Sequence, residues 1–147
     1  MNPALRIEAV IPAHNEAGNI GSVVEGLKAF GLQRILVVDD ASEDGTGDQA
    51  RRAGAEVLSL APGQGGGKGQ VMRAGIEHIR KDEFDYYLFL DGDGQHAPED
   101  LRRFLDRLAL EPGLDFLVGS RKLEAARIPA GRWRTNALGT WTLGRIA

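Results

Sequence analysis

Two aspartates that directly follow an apolar segment are the most chemically specific feature of the sequence. Asp91 and Asp93 flank Gly92, immediately after the apolar residues 86–90. If residues 86–90 form a buried strand, both carboxylates lie at its carboxyl end and face one small volume. Two carboxylates about 5 Å apart repel each other by roughly 3 kcal/mol at an effective dielectric near 20, unless a cation such as Mg²⁺ or Mn²⁺ lies between them. The pair therefore predicts a divalent metal site, with a solvated turn as the alternative.

An EF-hand and a phosphatase-like site are weaker interpretations of this acidic segment. An EF-hand loop that starts at Asp91 requires glycine at its sixth position and glutamate at its twelfth, where this sequence has His96 and Arg102. A phosphatase-like nucleophilic aspartate needs an activating partner, and the spacing identifies none.

A glycine-rich segment, residues 63–69, is the second candidate for chemistry. Its glycines allow backbone N–H groups and Lys68 to approach an anion such as a diphosphate. The segment is not a P-loop, because Pro62 and Gly69 stand where that motif requires glycine and a hydroxyl residue. A flexible loop with one solvated lysine is the alternative.

Polar residues also follow two earlier apolar segments. Asp39 and Asp40 come after residues 34–38. They either accept hydrogen bonds from a nucleobase or ribose, or they end a strand and begin a turn. His14 follows the first apolar segment, and a single loop histidine is more often a polar surface group than a site residue.

The elements that must position these residues alternate along the chain. Strands are predicted at 6–11, 34–38, 56–60, 86–90 and 116–118. One helix is predicted at residues 45–53, and Pro98 fits the first turn of the last helix. The other helical signals are apolar faces at helical spacing, formed by Ile20, Val23, Val24 and Leu27, by Met72, Ile76 and Ile79, and by Leu101, Phe104, Leu105 and Leu108. This order predicts an α/β fold, a mostly parallel sheet flanked by helices, with the polar loops together at the carboxyl ends of the strands.

Length and composition limit the class of protein. A chain of 147 residues with 42% hydrophobic residues is predicted to form a single domain, residues 1–147. The absence of cysteine excludes disulfides and thiolate metal sites. No apolar segment approaches the roughly 20 residues that span a bilayer. We therefore expect a cytoplasmic protein.

The charge is distributed unevenly. Residues 121–147 contain six basic residues and one acidic residue, whereas the rest of the chain contains 12 basic and 20 acidic residues. A basic segment beside an acidic body favours an anionic partner such as a diphosphate, a lipid phosphate or a membrane surface, and a solvated arginine-rich surface is the alternative. Nucleic acid is not the expected partner, because the basic segment has only Trp133 and Trp141 as aromatic residues. For residues 133–146 the sequence leaves three alternatives open: an interfacial helix, packing onto the domain, or fraying.

Five motifs, taken in order, resemble glycosyltransferase family 2. They are Val10 to Glu16, Val37 to Ser42, Gly67 to Gly69, Leu90 to His96 and Gly119 to Arg121. The Asp-Gly-Asp-Gly-Gln-His version of the fourth motif is most similar to the branch that transfers a sugar from a nucleotide donor to a polyprenyl or dolichyl phosphate. The resemblance covers roughly residues 7–134.

The resemblance implies a GT-A fold and a metal-dependent glycosyltransferase that inverts the anomeric carbon, with a UDP- or GDP-linked donor. A nucleotidyltransferase of similar fold and a non-catalytic nucleotide-sugar binding fragment are the alternatives. Family members are usually longer, so we expect the catalytic domain to be truncated, with 121–147 as a basic acceptor-side segment. The implied acceptor, a lipid phosphate, would place the protein peripherally at the inner face of a membrane; the sequence makes no prediction of oligomeric state.

The resemblance also assigns residues. The implied nucleoside pocket contains Pro12, Ala13, Asn15 and Glu16, with Asp39 or Asp40 on the base or ribose. Lys68 and Gly69 would lie near the diphosphate. Asp91, Asp93 and Gln95, with Gly92 between the aspartates, would hold Mg²⁺ or Mn²⁺ against the donor. Arg121, and one of Arg132 or Arg134, would contact the diphosphate or the acceptor phosphate.

Overall fold

The protein is a six-stranded sheet with helices on both faces. The computed structural model describes residues 5–79, 84–96, 98–111, 113–119 and 141–144. The strands are β1 (Ile7–Ala13), β2 (Arg34–Asp40), β3 (Glu56–Leu60), β4 (Tyr86–Phe89), β5 (Phe116–Gly119) and β6 (Trp141–Gly144). The helices are α1 (Ile20–Ala29), α2 (Thr46–Arg52), α3 (Lys68–Ile79) and α4 (Pro98–Leu110).

The sheet order is β3-β2-β1-β4-β6-β5. Strands β1 to β4 are parallel, and β6 is antiparallel to both of its neighbours. Strand β5 consequently runs in the same direction as β1 to β4, although β6 separates it from them. The predicted mostly parallel sheet is therefore confirmed, with one antiparallel strand inserted near its edge.

Both faces of the central strands are buried, which is why their sequences are mostly apolar, with the buried Glu8 as an exception on β1. On β1, Ala9 and Ile11 pack into the core on one face, whereas Val10 packs into a second core on the other. Helices α1, α2 and α4 contribute to the first core, and α3 covers the second. The helices lie over the sheet on both sides, as the alternation of strands and helices predicted.

The predicted apolar faces of α1 and α4 are confirmed, and that of α3 is shifted. Val71, Gly75 and Ile79 are the buried residues of α3, whereas Met72 and Ile76 are half-buried. The pattern of apolar residues misplaces this face because glycine carries no apolar side chain, so the central buried position of the helix gives no signal.

The carboxyl-terminal strand was not predicted. Residues 141–144 form β6, which pairs with β4 and β5, so an interfacial helix over 133–146 is wrong for these four residues. These four residues are instead part of the sheet, in agreement with the alternative that the segment packs onto the domain. The remaining residues of that segment lie outside the described part of the chain. In the described residues, no helix is long and apolar enough to cross a membrane.

Candidate functional site

A cleft of about 260 Å³ lies at the carboxyl edge of the sheet. Its walls come from the carboxyl ends of β1 and β2, from the residues that follow β1 and β4, and from the beginning of α3. The lining residues are Pro12, Ala13, His14, Glu16, Asp40, Lys68, Val71, Asp91, Gly92 and Asp93. Parallel strands with short loops bring these residues together because all their carboxyl ends meet at one edge.

The two aspartates after β4 both line this cleft. Asp93 Oδ1 accepts the backbone N–H of Gln95 at 3.0 Å, which orients that carboxylate. Gly92 is buried, and a Cβ at this position would lie 3.2 Å from Ile20 Cδ1. The glycine therefore lets the turn between the carboxylates lie close on the core.

Lys68, the first residue of α3, forms an ion pair with Asp91. The Asp91 side chain is 27% exposed and that of Lys68 is 58% exposed, so the pair lies at the mouth of the cleft. The repulsion between Asp91 and Asp93 that the sequence suggested is thus offset, in this structure, by an ammonium group of the same chain.

The structure separates the roles of the two adjacent aspartates at the end of β2. Asp40 lines the cleft, and Asp39 does not. The Asp39 side chain is 7% exposed, and its Oδ1 accepts the backbone N–H of Ser42 at 3.1 Å. Asp39 therefore shapes the turn after β2, whereas Asp40 faces the space available to a ligand.

The glycine-rich segment closes against Asp40. Gly65 is buried, and a Cβ there would lie 1.7 Å from Asp40 Oδ1. Only glycine permits this approach of the segment to the carboxylate. Of the described residues of this segment, Lys68 is the one that lines the cleft together with Asp40.

Hydrogen bonds join the loop after β1 to the loop after β2. The Asn15 backbone N–H donates to Ser42 Oγ at 2.9 Å, and Asn15 Oδ1 accepts the Glu43 N–H at 3.1 Å. Asn15 has a φ of 54°, a left-handed conformation that asparagine tolerates better than most residues. Asn15, predicted to line the nucleoside pocket, contacts the second loop and is not among the residues that line the cleft.

Asp44 and Thr46 complete this connection. Asp44 Oδ1 accepts the Thr46 hydroxyl at 2.5 Å and the Thr46 N–H at 3.0 Å, and Oδ2 accepts the Ala17 N–H at 3.0 Å. The Thr46 oxygen in turn accepts the Glu16 N–H at 2.7 Å. The bond from the Thr46 hydroxyl is the main cause that lowers the pKa of Asp44, followed by that from Ala17. We call Asp44, Thr46 and the backbone of Glu16 and Ala17 the loop latch.

His14 is held by two hydrogen bonds at the cleft wall. Its Nδ1 lies 2.6 Å from the Asp40 carbonyl oxygen, and its Nε2 lies 3.2 Å from Asn15 Nδ2. A carbonyl oxygen only accepts and an amide nitrogen only donates, so the neutral ring with hydrogen on Nδ1 fits both contacts. His14 is therefore an exposed residue, as its isolation in the sequence favoured, and it also lines the cleft with both ring nitrogens hydrogen-bonded.

Two further predicted residues of the described part of the chain do not line the cleft. Gln95 is exposed, and neither it nor Gly69 is among the residues that line the cleft. Arg121, Arg132 and Arg134 are outside the described residues. Val71 was missed because it has the pattern of an ordinary apolar position of α3, and only the three-dimensional arrangement brings it to the cleft.

The donor atoms of the cleft suit a hard cation that shares its coordination with a ligand. Asp91 and Asp93 offer carboxylate oxygens, which Mg²⁺ and Mn²⁺ prefer. Within the described residues, no group of three or more histidine, cysteine, aspartate or glutamate side chains is arranged to hold a metal. Two carboxylates are sufficient when phosphate oxygens and water complete the coordination, so the residues present fit such an ion.

The chain belongs to glycosyl transferase family 2, whose model matches residues 8–145. This match confirms the resemblance seen in the five motifs. The chain is also 36% identical over 135 residues to glycosyltransferase AglJ of Haloferax volcanii, covering 91% of this chain and 41% of that protein. It is 33% identical over 144 residues to polyprenol monophosphomannose synthase of Mycolicibacterium smegmatis, covering 91% of this chain and 52% of that protein. The chain spans about half the length of these relatives or less.

A solved structure confirms the GT-A fold. Glucosyl-3-phosphoglycerate synthase from Mycobacterium tuberculosis, crystallised with Mn²⁺, UDP-glucose and phosphoglyceric acid, superimposes with a TM-score of 0.61. The match covers 77% of this chain and 42% of that chain at 24% identity. At this level of identity, the likeness concerns the fold alone.

Proposed function

We propose that this chain carries the donor site of a metal-dependent, inverting glycosyltransferase. The donor would be a UDP- or GDP-linked sugar, and the acceptor would be a polyprenyl phosphate. The observation that carries the proposal is the meeting of Asp40, Lys68, Asp91 and Asp93 around one cleft, although separate parts of the sequence supply them. The name of one similar protein, polyprenol monophosphomannose synthase, supports the choice of a polyprenyl phosphate as the acceptor.

The charges of the cleft support a role for a divalent cation. Among the described residues that line it, four are acidic, Glu16, Asp40, Asp91 and Asp93, and Lys68 is the one lysine or arginine. Such a cleft repels the diphosphate of a nucleotide sugar unless additional positive charge is present. We assign Asp91 and Asp93 as the residues that hold Mg²⁺ or Mn²⁺, which when bound stabilises the negative charge of the leaving diphosphate.

The other residues orient the donor. Asp40 faces the cleft as a fixed acceptor for N–H groups of uracil or guanine, or for ribose hydroxyls. The latched loop places Glu16 and the walls formed by Pro12 and Ala13 beside it. Lys68, at the beginning of α3, donates to the diphosphate, where the amino end of the helix also favours negative charge.

The acceptor removes the need for a general base. A phosphate oxygen of a polyprenyl phosphate is already ionised near neutral pH. It attacks the anomeric carbon from the face opposite to the diphosphate; the new C–O bond forms as the old one breaks, and the bonding electrons leave with the nucleoside diphosphate. The configuration at the anomeric carbon is thereby inverted. Arg121, and Arg132 or Arg134, remain our candidates for the phosphate groups.

The test is a transfer assay with the chain. Radiolabelled UDP-glucose or GDP-mannose is incubated with polyprenyl phosphate and Mn²⁺, and the organic phase is counted. We expect labelled lipid with one of the donors, and loss of label when EDTA replaces Mn²⁺. Binding of the donor without transfer would indicate a donor-binding fragment, whereas pyrophosphate release from a nucleoside triphosphate would indicate a nucleotidyltransferase.

A further inference from the structure

Lys68 has two mutually exclusive partners in the proposed site. In the structure it forms an ion pair with Asp91. The proposed function requires Asp91 for the metal ion and Lys68 for the diphosphate. An ammonium group and a divalent cation repel each other, so both cannot occupy the same carboxylate oxygen.

We infer that Lys68 and the metal ion compete for Asp91, and that Lys68 moves from Asp91 to the diphosphate when metal and donor bind together. This inference rests on the proposed function. Without donor, Lys68 neutralises Asp91 and weakens the binding of free metal ions to the acidic cleft. When the donor binds, its diphosphate becomes the partner of Lys68, and Asp91 becomes available to the metal ion. Metal alone therefore binds weakly, and metal with nucleotide binds tightly.

Three features of the described residues support this exchange. Lys68 is more than half exposed and is the first residue of α3, so its side chain is free to turn without breaking the helix. Both ends of the exchange, Lys68 and Asp91, line the same cleft as Asp93. In addition, two carboxylates provide few protein ligands for a metal ion, so the ion gains most of its coordination only when phosphate oxygens arrive.

The inference predicts opposite effects of one substitution on two affinities. Lys68→Met removes the competing charge, so we expect the affinity for MnCl₂ alone to rise about three- to tenfold. The same variant lacks the cation for the diphosphate, so we expect its affinity for UDP or GDP at saturating Mn²⁺ to fall about tenfold. Substitution of a residue that merely stabilises the fold would not raise the affinity for Mn²⁺ and lower that for the nucleotide.

Arg73→Met is the matched control, because it removes one positive charge from the same helix. Arg73 pairs with Glu77 and is outside the cleft. We expect both of its affinities to equal those of the wild type. Lys68→Arg retains the charge and is expected to keep the weak affinity for free Mn²⁺. Circular dichroism and thermal unfolding verify that each variant is folded.

The measurements are Mn²⁺ binding by electron paramagnetic resonance and nucleotide binding by calorimetry, neither of which depends on turnover. Mn²⁺ affinity that is unchanged or lower in Lys68→Met than in Arg73→Met overturns the competition, even if the wild type transfers sugar. Unchanged nucleotide affinity overturns the movement to the diphosphate. If no variant binds Mn²⁺, both the inference and the metal assignment are wrong. A wild type that binds Mn²⁺ but no nucleotide refutes the proposed function. In that case, the Mn²⁺ affinities of Lys68→Met and Arg73→Met still decide whether Lys68 competes with the metal ion.

Discussion

At the scale of single residues, neighbours in the sequence have different surroundings because a strand alternates its side chains. Asp39 and Asp40 end the same strand, yet Asp39 is buried against the turn and Asp40 faces the cleft. From the sequence, either aspartate could contact the donor, and no local signal distinguished the two. The direction of each side chain depends on where the strand ends relative to the sheet, which only the packed structure defines.

Substitution of these two aspartates should separate stability from binding. Asp39→Ala leaves the Ser42 N–H without its acceptor, so we expect a loss of about 1–3 kcal/mol in the free energy of unfolding. Asp40→Asn keeps the size and one acceptor, so we expect unchanged stability and a roughly tenfold loss in nucleotide affinity. Urea denaturation and calorimetric titration measure the two effects, and equal losses of stability in both variants would contradict the assignment.

The metal assignment also belongs to the residue scale. Asp93→Asn keeps the shape of the side chain and an oxygen for the Gln95 N–H, but it removes the negative charge. We expect the Mn²⁺-dependent affinity for the donor to fall at least about tenfold. The measurement is calorimetry with UDP-glucose and GDP-mannose, with and without Mn²⁺.

Asp48→Asn is the control for this substitution, because Asp48 is an exposed carboxylate on α2 that pairs with Arg51. It should bind the donor as the wild type does. Donor binding by Asp93→Asn that retains the full effect of Mn²⁺ would remove Asp93 from the metal site.

At the scale of elements, the strands and helices were largely predictable, and the connections between loops were not. Mostly apolar segments such as 34–38 predicted strands, and the structure has a strand at each of the five predicted positions, β1 to β5. Of these, β3 is a partly buried edge strand, and β5 pairs with the antiparallel strand β6. Strand β6 was missed because threonine and glycine interrupt the apolar residues of its sequence, Trp-Thr-Leu-Gly. It also follows a polar, basic segment, so no apolar run marks it. Its place between β4 and β5 is fixed by long-range pairing rather than by local sequence.

The candidate site divides in the same way. The motif at 91–93 and Lys68 were predictable because charged residues and glycines directly after a strand or before a helix lie where a parallel sheet binds its ligands. The contacts of Asp44 and Thr46 with the loop after β1, and the role of Asn15, were not, because each depends on a hydrogen bond between loops about 30 residues apart. Sequence spacing within one segment does not report which segments touch.

The loop latch makes a prediction about pH. The pKa of Asp44 is lowered below its ordinary value of 3.8, mainly by the Thr46 hydroxyl, so the folded protein holds this proton less tightly than the unfolded chain does. The stabilisation is consequently complete above about pH 4 and is lost as the pH falls through the lowered pKa. Asp44→Asn should lower the melting temperature at pH 7, and the difference from the wild type should shrink below pH 4. A difference that is constant from pH 7 to pH 3 would show that the charge of Asp44 does not hold the latch.

At the scale of the whole molecule, the two edges of the sheet have different tasks. The carboxyl edge carries the cleft, with four acidic residues in its lining. The amino edge carries a charge cluster that lies outside this cleft: Arg34 lies 3.7 Å from Glu8 and 4.0 Å from Glu56, and Glu56 also contacts His78 at 2.7 Å. We infer that this amino-edge cluster stabilises the strands, while the opposite edge is left to bind a ligand.

Arg34→Met tests this division. Glu8 is 1% exposed, so removing the guanidinium leaves its buried carboxylate less compensated, while the methionine chain still covers Phe84. Because Arg34 itself is half-exposed, we expect a loss of about 1–3 kcal/mol in the free energy of unfolding, less than for a fully buried pair. Donor affinity under conditions where the variant is still folded should equal that of the wild type, since the substitution lies at the far edge of the sheet.

Arg73→Met, which breaks an exposed pair, is the control and should change stability by less than about 0.5 kcal/mol. Urea denaturation and calorimetry measure both quantities, and a folded Arg34→Met protein with weakened donor binding would show that the two edges are coupled through the sheet.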